Sequence, residues 1–584
     1  MSSEKHFVPD AFFLGPKSEN AEYAREGFEA ILRHWFDWRL ALFRDDPVAI
    51  GEATRRHPEF IEEQGLLKKE LANLCDMLLA ELPTYTPRYV GHMLSEISLP
   101  ALFGHFAALL HNPNNTSREV SKVGARMESE AIAMLADMLG FDGEQAQGHF
   151  TGGGTVANFE AIWRARYRMD HALALALVLA ERDGDDLDPF AAAHMGWDRF
   201  NRLQAERNVS EAEMRAASAV LINPVDVARR ISERSGRKYS GPVLITPGNK
   251  HFSWRKAANI FGLGEESFWN APLDEEGRVN MVGLRNMIGE AREAGRPVMC
   301  LATVAGTTEA GEVDPIHEVT GLLDELKREG IHIWHHVDAA YGGFFCSMLG
   351  GAPENVLDGK SRAALAAVAR ADSVTIDPHK LGYVPYSCGA FIARDSQSYL
   401  ASSFHAPYID RAHADDKWRS TLEGSRSAAG AAATWLTVRT MGFRPEGFGE
   451  MLASTIQTRR RFESALRTQC PDARLVHPAD TNILCFSLAR KGEALSESNR
   501  RTARAYDRFH GDPDVSLSRT VFSSEHYGAL IARHVQNYDG VTDTDNLVLL
   551  RCVFMNPFWA NPEMEAFLLP KFVRLVNRYA EAEG

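Results

Sequence analysis

A chain of 584 residues, 45% hydrophobic and 24% charged, has the apolar mass for a large core and for more than one domain. Its net charge of -14 and pI near 5.9 exclude general binding to nucleic acid or to an anionic membrane surface. The seven scattered cysteines have no metal-ligand spacing, so they read as reduced thiols of a cytoplasmic protein without a metal site.

The first six residues lack the cationic and apolar pattern of a signal peptide. The longest apolar stretch, Ala172 to Ala180, reaches about half of a bilayer span, so no membrane segment is expected. Residues 1–100 read as a helical N-terminal segment, in which Phe28, Ile31, Leu32, Trp35 and Trp38 recur at spacings of three and four. That stripe suits core or subunit packing. Over 101–440 short β-rich runs alternate with amphipathic helices. Val298–Ala305 and Ile331–Val337 are predicted strands, and Ile316, Val319, Leu322, Leu323 and Leu326 line one helix face between them. Lys327 and Arg328 in the last turn and Gly330 just beyond complete a strand-helix-strand unit. Such units predict a mainly parallel α/β sheet with ligands at the carboxyl ends of its strands. Residues of about 170–240 are helical and polar and interrupt the alternation as an insertion, and the stretch at about 490–545 looks similar. The last region, 441–584, contains the predicted strand Leu547–Arg551 and a final helix.

Chemistry gathers at the predicted strand ends. In Ser373-Val-Thr-Ile-Asp-Pro-His379-Lys380 a lysine follows one strand, and Asp338 follows another in His335-His-Val-Asp338-Ala-Ala340. An aldehyde cofactor needs both, an amine to hold it as a Schiff base and a carboxylate to keep its ring nitrogen protonated. Phe150-Thr-Gly152-Gly153-Gly154-Thr155 precedes a helix, and glycine amides at a helix start suit a phosphate. A lone glycine triplet is most often an ordinary loop; followed in order by Asp338 and Lys380 it becomes a phosphate cup. His251, after the predicted strand Pro242–Pro247, suits stacking on a planar ring, and Ala340 is small enough to cover the opposite face. Thr308 ends the Val298 strand with a hydroxyl within reach of the ring's phenolic oxygen. His379 adjoins the lysine as a further cofactor contact.

These motifs in this order resemble the pyridoxal-phosphate-dependent amino acid decarboxylases of group II, over residues 85 to 440. The chain is most similar to the bacterial tyrosine decarboxylase branch, in Pro87-Arg-Tyr-Val-Gly-His92-Met, Asn112-Pro-Asn-Asn, Gly306-Thr-Thr-Glu-Ala-Gly, Asp377-Pro-His-Lys-Leu-Gly-Tyr-Val-Pro-Tyr386 and Leu422-Glu-Gly-Ser. The resemblance implies fold type I, aspartate-aminotransferase-like, with a seven-stranded sheet and a smaller α+β C-terminal domain. It also implies a homodimer with shared active sites, and pyridoxal 5'-phosphate bound by Gly153, Gly154, Thr155, His251, Thr308, Asp338, Ala340, His379 and Lys380. The expected catalytic residues are Lys380, His251 and Tyr386. Animal relatives carry a catalytic tyrosine on a loop whose counterpart here, Ile409 to Lys417, has none, so Tyr386 is the preferred proton donor and Tyr408 the alternative. His92 is placed to contact a phenolic hydroxyl, and Arg551 could bind a carboxylate. Tyrosine is therefore the first expectation for the substrate; glutamate or aspartate, and an aldehyde synthase on the same scaffold, are the alternatives.

Overall fold

The structure is a computed structural model that describes residues 7–402, 417–476 and 478–581. Tyr408 and most of the loop from Ile409 to Lys417 lie outside the described residues. Among the described residues twelve strands form two sheets. In chain order they are β1 (Tyr89–Val90), β2 (Gln147–Thr151), β3 (Val243–Pro247), β4 (Phe268–Ala271), β5 (Val298–Val304) and β6 (His335–Asp338), followed by β7 (Ser373–Ile376), β8 (Gly389–Ala393), β9 (Ala473–Leu475), β10 (Ile483–Leu488), β11 (Ser516–Ser523) and β12 (Asn546–Val553).

The large sheet has seven strands in the order β2-β8-β7-β6-β5-β3-β4. From β7 to β4 every pair is parallel, and β8 runs antiparallel to both β7 and β2. A parallel sheet is covered on both faces, which is why β5 is apolar and buried along its whole length instead of alternating. The unit read from sequence is present: β5, the helix Ile316–Arg328 and β6 lie in succession, with Lys327 and Arg328 in the last helical turn and Gly330 at φ +84°. The second strand starts later than expected, at His335. Ile331 N–H closes the preceding helix on the Leu326 carbonyl and His332 N–H bonds the His194 carbonyl, so this backbone is spent before it reaches the ladder.

The small sheet runs β1-β11-β12-β10-β9 and is antiparallel except for β1, which pairs parallel to β11. The polar stretch at about 490–545 thus supplies a central strand of this sheet, flanked by the helices Leu495–His510 and Ser524–Gln536. The insertion at about 170–240 is helical, and four short helices follow the end of the helix Gly154–Arg182.

At the N-terminus the helix Ala21–Leu42 packs Phe28 edge-on against Phe103 and Phe106, at 5.2 and 5.3 Å between ring centroids. The helix Pro58–Leu78 has no buried residue at all. No helix among the described residues is long and apolar enough to cross a membrane.

Candidate active site

The carboxyl ends of β5, β6 and β7 and the start of the helix Gly154–Arg182 enclose a cavity of about 360 Å³. Gly153, Gly154, Thr155, His251, Thr308, Asp338, Ala340, His379, Lys380 and Tyr386 all line it, so ten of the twelve residues singled out in the sequence converge on one place. The other two, His92 and Arg551, do not line it.

The cup is built by close approach. A side chain at Gly154 would put its Cβ 2.8 Å from Asp377 Oδ2 and 3.2 Å from Ala340 Cβ, and Gly153 caps the helix at φ +140°. The first amides of the 29-residue helix have no i−4 carbonyl inside it, so they face the cavity as ready anion donors. Thr155 stands beside them.

Asp338 ends β6 with 4% of its surface exposed. Its Oδ2 accepts from Asn158 Nδ2 at 2.8 Å and from Trp254 Nε1 at 3.0 Å, while Oδ1 takes only the backbone N–H of Ala340 at 3.3 Å. Asn158 is itself fixed. Its second N–H donates to Ser253 Oγ at 3.0 Å, and its carbonyl oxygen accepts from His336 Nε2 at 3.3 Å. Ser253 turns in turn to His251: its backbone N–H donates to Nδ1 at 3.3 Å and its hydroxyl lies 2.9 Å from the same atom. Nδ1 is therefore an acceptor and the ring proton sits on Nε2. Burial lowers the His251 pKa against the pull of Asp338, with Lys380 adding to the lowering, which keeps this ring neutral at pH 7.

Lys380 Nζ lies 3.2 Å from Asp377 Oδ2, and His379 Nε2 is 3.5 Å from the same oxygen. Asp377 Oδ1 is buried without a hydrogen-bond partner, immediately below the cup. The Tyr386 ring lies over His379 at 4.1 Å between centroids, tilted by 31° and with 54% of its surface exposed, and the burial of the rest pushes its phenol up to about 12, with Asp377 and Tyr89 adding to the effect. Thr307 hydroxyl donates to the buried Glu312 carboxylate and is spent there, which leaves the exposed Thr308 as the hydroxyl facing the cavity.

His92 is exposed beyond the rim, its N–H donating to the Tyr89 hydroxyl at 3.1 Å. Arg551 is 4% exposed and its guanidinium is taken up by the carbonyls of Glu309 and Gly91, at 3.0 and 3.1 Å, and by Ser518 Oγ at 3.2 Å. Two of its three nitrogens, Nε and Nη1, are thus engaged within the protein, while Nη2 is left for a ligand, so the expectation of Arg551 as a carboxylate binder is narrowed to that one nitrogen. Its charge still acts on the rim: burial lowers the His92 pKa and Arg551 adds to that lowering, whereas burial raises the Tyr89 pKa and Arg551 only opposes the rise. Asn158, Trp254 and Asp377 were not singled out from sequence, although Asn158 and Asp377 lie inside the motifs. No group of three or more metal-ligating side chains is assembled among the described residues.

Comparison with known proteins agrees with this geometry. Residues 206–489 match the pyridoxal-dependent decarboxylase conserved domain. An L-tyrosine decarboxylase of Levilactobacillus brevis is 28% identical over 97% of this chain and 95% of its own length. The chain thus carries a pyridoxal-dependent decarboxylase domain over nearly half of its length. An aspartate 1-decarboxylase of Aliivibrio fischeri is 26% identical over 75% of this decarboxylase and 73% of its own length. The crystal structure of Oryza sativa TDC with PLP and tryptamine superposes with a TM-score of 0.63 at 18% identity, over 96% of this chain and 97% of that one, and carries the shared fold type I architecture.

The residues present fit pyridoxal phosphate. A cradle that a Cβ would fill, amides at a helix start, a buried carboxylate with one oxygen open to the cavity and an amine on the same wall match its phosphate, ring nitrogen and aldehyde.

Proposed function

We propose that this decarboxylase converts L-tyrosine to tyramine and carbon dioxide. The observation that carries the choice is Arg551. An acidic substrate needs a cation for its distal carboxylate, and two of the three guanidinium nitrogens on the rim already serve two backbone carbonyls and a serine hydroxyl, which removes the two-pronged face a carboxylate binds best. The likeness to L-tyrosine decarboxylases over nearly the full chain supports the same choice. His92, held neutral by its lowered pKa, then hydrogen-bonds the phenolic hydroxyl of the substrate.

When bound, pyridoxal phosphate supplies an aldehyde that captures the substrate amine and a protonated ring that accepts the electron pair left by departing CO₂. Around it Gly153, Gly154 and Thr155 hold the phosphate, His251 and Ala340 cover the two ring faces, and Thr308 and His379 complete its contacts. Asp338 keeps the ring nitrogen protonated, and Asn158 and Trp254 hold that carboxylate in place. Lys380 anchors the aldehyde and its amine is oriented by Asp377. Tyr386 delivers the proton to the α-carbon.

The active unit is a homodimer. The helix Pro58–Leu78 exposes Leu67 by 70%, Leu71 by 57% and Met77 by 73%, an apolar face that water alone does not stabilise and that a second copy would bury. Reversal of that face by Leu71→Arg with Leu74→Arg should halve the mass measured by light scattering; an unchanged dimer would place the interface elsewhere. Seven unpaired cysteines, six of them buried, suit a reducing cytoplasm.

The deciding test is incubation of the purified protein with pyridoxal phosphate and a panel of L-amino acids, with the amines identified. Tyramine should dominate, Lys380→Ala should form none, and His92→Ala should raise KM for tyrosine about tenfold while changing that for phenylalanine far less. A preference for aspartate or glutamate would overturn the aromatic assignment.

A further inference from the structure

A second cavity, of about 440 Å³, opens at the opposite end of the large sheet. The cofactor residues follow the carboxyl ends of β6 and β7, whereas Trp334, His335 and Asp372 at the amino ends of these strands line this one. Four-residue β6 joins the two places, with His335 at one end and Asp338 at the other. Arg168 on its wall belongs to the same helix as the glycine cup, about 21 Å further along at 1.5 Å per residue.

The charge here runs against that of the chain. Six arginine and lysine side chains but four aspartates line the cavity, in a protein of net charge -14. Arg370 is matched by Asp324, and Arg394 by Asp372 at 3.2 Å. Arg168 is not matched. It is 8% exposed, donates to the Met195 carbonyl, lies over the Trp197 ring at 4.8 Å and bonds no carboxylate among the described residues. Burial lowers its pKa to about 10, opposed only by the charge of Asp372. A buried guanidinium whose counter-charge, Asp372, already pairs with Arg394 is under-neutralised, and an anion in the cavity relieves that cost. On the open side Arg199, Arg202 and Lys327 are exposed and form no ion pair among the described residues. At the floor His335 is 2% exposed with Nδ1 unpartnered, its other ring nitrogen lying 2.9 Å from Thr303 Oγ1.

We propose that this cavity is a binding site for a small, multiply charged phosphate anion, a polyphosphate or a nucleoside phosphate, separate from the cofactor cup. Arg168 and His335 meet the anion at depth, Arg199, Arg202 and Lys327 gather it from solvent, and Trp197 offers a ring face to a base.

The test uses the holoenzyme, whose own cup is filled by pyridoxal phosphate, titrated calorimetrically with tripolyphosphate and with adenosine triphosphate. Saturable binding at one site per chain is expected, together with a rise in thermal midpoint as ligand accumulates. Arg199→Glu combined with Arg202→Glu, both exposed and away from the core, should weaken it about tenfold and leave the absorbance of the bound cofactor unchanged. Tighter binding of the nucleotide than of tripolyphosphate, with quenching of tryptophan fluorescence, supports the proposal with a nucleoside phosphate as ligand; equal binding supports it with the phosphate chain alone. No saturation at millimolar concentrations, or undiminished affinity in the double variant, overturns it.

Discussion

Asp338→Asn is expected to lower kcat about 1,000-fold, about 4 kcal/mol of transition-state stabilisation, while the absorbance of cofactor bound through Lys380 persists. The geometry isolates the effect. Oδ2 is committed to Asn158 and Trp254, and an asparagine carbonyl can keep accepting from both. The change falls on the other atom, where an NH₂ replaces the oxygen open to the cavity. A carboxylate there stabilises a ring N–H; an amide donor opposes it, so the ring gives up its proton and much of its capacity to accept electrons. Because the bonds from Asn158 and Trp254 survive and only the long one from the Ala340 N–H, at 3.3 Å, is lost, KM and the thermal midpoint should move little. A loss in kcat below about tenfold would mean that another group sets the protonation of the ring.

The parts of this site that were legible in the sequence share one property: each is announced by its own neighbours. Lys380 and Asp338 follow apolar runs that become β7 and β6, and parallel strands deliver whatever follows them to one edge. Gly153 and Gly154 precede a helix whose amphipathic start is visible locally. The parts that were hidden depend on distant chain. Asn158 reaches Asp338 across 180 residues of sequence, and the carbonyl of Gly91 that takes up Arg551 comes from 460 residues away. Sequence shows a cation on the last strand but not what has already claimed it. The same limit explains β11. Its burial alternates only in part, because one edge meets the two-residue β1 and its far end is solvated, so it reads as part of a polar insertion like that at about 170–240 until the partner strands are known. On the first N-terminal helix the stripe of apolar residues was plain, whereas its partial cover was not, for Phe28, Ile31, Leu32 and Trp35 are half-buried and Trp38 is exposed; periodicity reports that a face will be buried, not against which molecule.

Tyr386→Phe should separate loss of CO₂ from the proton transfer that follows it. The phenylalanine ring keeps the ring contact with His379 at 4.1 Å and the cavity wall, so cofactor binding should be preserved. What disappears is an O–H whose pKa is pushed up to about 12 and which therefore still carries its proton at neutral pH. So high a pKa makes a weak acid toward water, but transfer to the carbon left by departing CO₂ is strongly downhill, and position then matters more than acidity. Tyramine formation is expected to fall by about 10²- to 10³-fold. In air, part of the remaining turnover should change product. The unprotonated carbon gives two electrons to dioxygen, which leaves as hydrogen peroxide, and hydrolysis releases the aldehyde with ammonia in place of the amine. Parallel assays with and without oxygen, reading tyramine, aldehyde and peroxide, distinguish this from simple inactivation, since only diversion depends on oxygen. A variant that forms tyramine within about twofold of the parent rate and makes no peroxide would move the donor away from Tyr386 and toward Tyr408. A phenol fixed over His379 beside Lys380 thus carries a sharper claim than its place in the motif, because it predicts which product appears when it is gone.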